Sequence, residues 1–113
     1  MAEVRIFTYS GLVTLPTKSS QYGTDSVRVF DEPYLGRELL NPDTGTAVSS
    51  SVAISSNPRT TLARIQVENG KLVHYEVNHS ERDVDASTES PIISGEVVIK
   101  LPVNGTISVL EAS

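Results

Sequence analysis

The chain has 113 residues, no cysteine and a formal net charge of −5. That is the size of one ordinary domain, residues 1–113, with a core large enough to stand without staples. Disulfides, thiolate metal sites and a cysteine nucleophile are excluded. The acidic balance, with nine basic residues and no run of them, argues against a nucleic-acid partner, because phosphate binding needs clustered Lys and Arg. Serine and threonine supply 25 residues and aromatics 6, a balance suited to strands and polar loops.

No basic-then-apolar leader opens the sequence, and its longest apolar run, Val97-Val98-Ile99, is too short to cross a bilayer. Synthesis in the cytoplasm without a signal peptide, and no membrane contact, is the expectation.

In chain order, Val4–Tyr9 alternates Val4, Ile6 and Thr8 against Arg5, Phe7 and Tyr9. Apolar groups stand on both sides, which predicts a strand covered on both faces. A short stretch, Leu12–Leu15, is stopped by Pro16. Thr17–Ser26 has no apolar period and reads as a loop. Ser26–Phe30 is the next strand. Asp31 is then placed to cap a single helical turn, with Pro33 inside its start and Leu35 and Leu39 on one face. Gly36 weakens that turn, and Asn41-Pro42 ends it. Asn41–Gly45 is a turn by its local chemistry. Thr46–Ser56 reads as a long serine-rich loop with room for one edge strand, closed by Asn57-Pro58.

Two Asn-Gly pairs come next, each between alternating segments, and Asn-Gly favours the positive φ of a tight hairpin turn. With Glu68-Asn69-Gly70 as a three-residue turn, Ile65 pairs with Val73 and Ala63 with Tyr75. Ala63, Ile65, Val67, Val73, Tyr75 and Val77 then share one apolar face, and Arg64, Gln66, Leu72, His74 and Glu76 the other. Burial of a whole face favours this register over the two-residue turn. By the same reasoning Val103-Asn104-Gly105 pairs Leu101 with Ile107 and Ile99 with Val109, and Val97 joins their face. Between the hairpins, Asn78–Pro91 is a polar, acidic, exposed connection. No stretch shows helical periodicity, so the chain reads as an all-β single domain. About seven or eight short antiparallel strands would form a sandwich or a small barrel.

Candidate chemistry is sparse. His74 and His79 are the only histidines. Five residues apart on a strand they stand ~16 Å apart on opposite faces, which does not suit a shared metal. Glu81, Asp83, Asp85 and Glu89 carry oxygen ligands suited to calcium but lack EF-hand spacing, so a solvated acidic loop is the simpler reading. There is no Gly-x-Ser-x-Gly elbow and no phosphate-cradling glycine loop. The residues therefore point to no catalysis, no metal and no cofactor. Tyr34, Leu35, Leu39 and Leu40 form an apolar cluster in a connection. It would either pack over an open end of the fold or dock on a partner. Tyr22, Tyr34, Leu35, Arg37 and Arg59 are the candidate partner-binding residues.

Small size, an all-β pattern, acidity, Ser/Thr richness and long polar loops together resemble the accessory proteins of tailed bacteriophage virions. The head decoration, or cement, proteins are the nearest type. That resemblance implies a non-enzymatic β module on the virion, bound to the major capsid protein or another virion protein. It also implies a homo-oligomer such as a trimer. Loops Thr17–Ser26 and Asn41–Thr61 would bridge capsid subunits. The long N-terminal arm common in such proteins has no counterpart here, which keeps a tail or connector role open. A soluble ligand-binding β module, for carbohydrate for instance, is the alternative.

Overall fold

A computed structural model describes residues 2–20 and 23–113 of the chain. Ten strands are present: β1 (Val4–Tyr9), β2 (Leu12–Ser20), β3 (Gly23–Phe30), β4 (Gly36–Leu40), β5 (Val48–Ser49), β6 (Leu62–Val67), β7 (Val73–Asn78), β8 (Ile92–Ile93), β9 (Glu96–Lys100) and β10 (Thr106–Glu111). The only helical segment among the described residues is a four-residue 3-10 turn, Val52–Ser55. A front sheet runs β4-β1-β6-β9, a back sheet runs β5-β10-β7-β8, and β2 and β3 form a separate two-stranded ribbon. All pairings are antiparallel. The two four-stranded sheets keep open edges, so the fold is a sandwich and not a closed barrel.

Alternation assigns the inward faces of β6, β7, β9 and β10 correctly, but β1 is not covered on both sides as expected. Arg5 is exposed and Phe7 only half-buried on the open outer face. Val4, Ile6 and Thr8 of β1, Ala63, Ile65 and Val67 of β6, Val73 of β7, and Ile107 and Val109 of β10 are buried. Tyr75, Val77, Val97 and Ile99 pack against them from partly exposed positions. The pairing differs from expectation. β6 and β7 do not pair, and neither do β9 and β10. Ile65 lies between Ile6 and Val97 in the front sheet, while Tyr75 lies beside Val109 and Val77 beside Ile107 in the back sheet. Both Asn-Gly segments carry the chain from one sheet to the other. Positive φ occurs at Gly70 (82°) and Asn104 (63°), as a sharp reversal requires. The two apolar faces thus meet across the interior instead of side by side, because each sheet must bury its inner face against another layer.

Three other segments depart from the sequence reading. Thr17–Ser26 is not a loop, since both β2 and β3 extend into it. Pro16 does not stop β2 and sits opposite Ser26. The amide of Asp31 donates to Gly11 O, which fixes the alternation of the ladder. The nitrogen of residue 16 then points away from β3, where a missing N–H costs no ladder bond. No helical turn forms after Asp31, because residues 36–40 pair with β1 as an edge strand and satisfy their backbone there.

Asn41–Thr61 is not a free loop. Asp43 Oδ1 accepts the amides of Gly45 and Thr46 at 2.9 and 2.8 Å, as the local turn chemistry predicts. The expected edge strand exists as β5, paired with β10. The 3-10 turn seats Ile54 in the core, and Thr8 donates its hydroxyl to Ile54 O. A Cβ on Gly36 would collide with the backbone of Ile54, so β4 and this turn approach closely only because residue 36 is glycine.

Candidate functional site

The outer faces of the two sheets are built differently. On the back sheet, residues 79–91 fold across the strands as a strap. The hooks are the outward-facing positions of β7, spaced two apart. His74 Nδ1 lies 2.9 Å from Ser90 O. Glu76 accepts from the Ser90 hydroxyl and from Arg82 Nη2, both at 2.6 Å. Asn78 clamps Val84 with two bonds of 2.9 Å, one to its carbonyl and one from its amide. Ser108 of β10 accepts the amide of Ala86 at 2.9 Å. His74, Asn78, Ser90 and Ser108 are consequently buried although they belong to the polar face of the strands. The strap is anchored through Ala86 and Ser90, which are buried, while residues 79–85 and 87–89 stay exposed, Val84 among them. The Ser90 hydroxyl and then Arg82 hold the Glu76 carboxyl below its ordinary range.

The outer face of the front sheet has no such strap. Across its strands, Leu39, Arg5, Gln66 and Glu96 form one row, and Arg37, Phe7, Arg64 and Val98 the next. Leu39 and Val98 are 49% and 48% exposed, and Tyr34 is 38% exposed with its ring 5.2 Å from that of Phe7. Arg5, Phe7, Arg37, Glu38 and Leu39 line an open depression of about 580 Å3. Arg64 ties the face to the ribbon. It ion-pairs with Glu96, and its guanidinium stands 5.0 Å from the centre of the Phe30 ring, which stacks on Tyr9 at 4.5 Å. Glu96, then Tyr9, holds the Arg64 proton more tightly. Gln66, then Arg64, pulls the Glu96 carboxyl below its usual range.

The candidate partner-binding residues separate accordingly. Tyr34 and Arg37 stand together on the front face, with Leu35 half-buried beside them, its amide donating to Thr8 O at 2.7 Å. Arg59 is exposed in the turn after Asn57-Pro58, and Tyr22 lies outside the described residues. The apolar cluster also divides, because Leu40 enters the core while Leu39 faces solvent on the adjacent outward position. Sequence reasoning missed Arg5, Phe7 and Val98 as members of the face, and Asn78, Ser90 and Ser108 as strap anchors. The signal for the hooks was His74-x-Glu76-x-Asn78, three polar groups at strand spacing.

Among the described residues, no three His, Asp or Glu side chains gather in a geometry that could hold a metal ion. His74 faces the strap, and His79 Nδ1 accepts the Glu81 amide at 3.1 Å. No helix among the described residues is long and apolar enough to cross a membrane. No family model, curated protein or solved structure matches the chain.

Proposed function

We propose that this chain is a non-enzymatic structural protein that docks on another protein through the outer face of its front sheet. It acts as an accessory protein of a phage virion, bound to the major capsid protein or another virion component, and braces the capsid as decoration proteins do. One observation carries the reading. In a chain of net charge −5, Arg5, Arg37, Arg64 and Lys100 stand on one open sheet face with exposed Leu39, Val98 and Tyr34, Arg5 paired with Glu3 and Arg64 with Glu96. Apolar groups ringed by guanidinium groups are the chemistry of a protein–protein contact, in which arginine and aromatic residues are enriched. The β2–β3 ribbon beside this face, joined to it through Phe30, offers further backbone for contact. Individually weak contacts repeated over a lattice add by avidity.

Co-sedimentation with capsids of the parent phage tests this reading. Wild-type protein is expected to pellet with expanded shells, and the double variant Arg37→Glu/Leu39→Asp to remain in the supernatant while folded. Failure to bind shells and tails alike overturns the proposal. A specific hit on a glycan array without capsid binding would replace it with the ligand-binding module.

A further inference from the structure

The four edges of the sandwich are not equivalent. β5 and β8 have two residues each. The edge of β4 is flanked by the 3-10 segment, where Gly36 lies against Ile54 and Glu38 accepts the Ser51 amide at 2.8 Å. β9 pairs with β6 on one side and, among the described residues, with nothing on the other. Its ladder is bracketed by Val67 N–H to Gly95 O at 2.8 Å and Leu101 N–H to Thr61 O at 3.0 Å. In an antiparallel ladder, residues hydrogen-bond toward a given neighbour at every second position. Gly95, Val97, Ile99 and Leu101 therefore face β6. Glu96, Val98 and Lys100 point their N–H and C=O groups outward, without partners among the described residues.

That open edge reads Glu96-Val97-Val98-Ile99-Lys100, and its charges and apolar groups are self-complementary about its centre. Placed antiparallel to a second copy with Val98 opposite Val98, each Glu96 faces the other copy's Lys100. Each Val97 faces an Ile99 on the inner side, and the three outward-pointing backbone positions meet three of their own kind. Cross-strand opposite charges and apolar pairs are each stabilising, and like charges directly opposite are not. Any register shifted by two residues breaks the charge match. The edge is bounded by Gly95, at φ +65°, and by Pro102, which lacks an N–H, so the length of pairing is also fixed. Charged residues on an edge ordinarily deter association. Here the same charges exclude other strands and admit a copy of this one.

We infer that β9 is a two-fold dimerisation edge, and that two copies pair β9 to β9 to form a continuous eight-stranded front sheet. The partner is a second copy of this chain. Val98 and Lys100 belong to both readings, but the inference stands without the capsid reading, because it is tested on the mass of the purified chain alone and the capsid test uses Arg37 and Leu39. Two five-residue edges make a short contact, so the dimer is expected to be reversible and to depend on concentration.

Sedimentation equilibrium on the full chain tests it. Wild-type protein should approach twice the 12.2 kDa chain mass as concentration rises. Val98→Pro removes an N–H that the monomer does not use and should give a folded monomer. Lys100→Glu places carboxylates opposite each other and should raise the dissociation constant at least about tenfold. Glu96→Lys should do the same, and an equimolar mixture of the two charge variants should dimerise again, since each then faces its complement. Should Val98→Pro or Glu96→Lys lose its β-sheet circular dichroism, Lys100→Glu alone decides. A wild-type chain that stays monomeric up to the solubility limit overturns the inference. So does an oligomer, of any order, that Lys100→Glu leaves intact.

Discussion

Both sheets turn an apolar face inward, yet they finish their outer faces in different ways. The back sheet is covered by its own chain. Residues 79–91 cross it and bond to His74, Glu76, Asn78 and Ser108. The front sheet leaves Leu39, Val98 and Tyr34 in water among arginines, with only Phe30 and Arg64 closing one corner. The same secondary structure thus yields one outer face crossed by its own chain and one left open. The difference lies in the connections between strands. β7 leads into a polar segment whose carbonyls and hydroxyls reach back to it. β4 and β1 are joined to neighbours through links that run along the sheet edge and the ribbon.

The comparison is broken most completely by removing what the faces share. Ile65→Ala opens a void in the common core and is expected to cost about 2–5 kcal/mol, read as a lower denaturant midpoint with unchanged slope. Gly36→Ala drives a methyl group into Ile54 backbone and should cost about 1–3 kcal/mol, with protection from hydrogen exchange lost around β4 and the 3-10 turn. Asn78→Ala frees Val84 from both of its bonds. It should cost about 1–3 kcal/mol, with faster exchange confined to residues 79–91 and the front sheet unaffected.

Acidification sharpens the same contrast. Glu76 has a folded pKa below its unfolded one, so the stability it contributes is present above the ordinary carboxylate range and is lost as pH falls through the folded value. Melting temperature should fall on that acid limb, and Glu76→Gln should flatten part of the slope. Glu96 contributes in the same direction on the front sheet. The smallest stability change belongs to the front face itself. Arg37→Glu and Leu39→Asp, both exposed, should each shift stability by no more than about 0.5 kcal/mol while abolishing partner binding.

The strands β1, β6, β7, β9 and β10, and the inner faces of the last four, were legible in the residues, because side chains on a pleated strand alternate and one side must leave water. Ala63, Ile65, Val67, Val73, Tyr75 and Val77 were grouped correctly on that ground alone. Period two carries no record of which strand lies alongside. The Asn-Gly reversals at residues 69–70 and 104–105 permit either a hairpin or a crossing between layers. Only the tertiary structure chose the crossing, since two sheets stacked face to face bury both apolar sets at once, which a single sheet cannot. The strap was illegible for a related reason. Hydrogen bonds such as Ser108 to Ala86 join residues far apart in sequence, and polar composition reads as exposure until a partner arrives. Thr17–Ser26 likewise shows no apolar period, and the strands that extend into it pair with each other outside both four-stranded sheets.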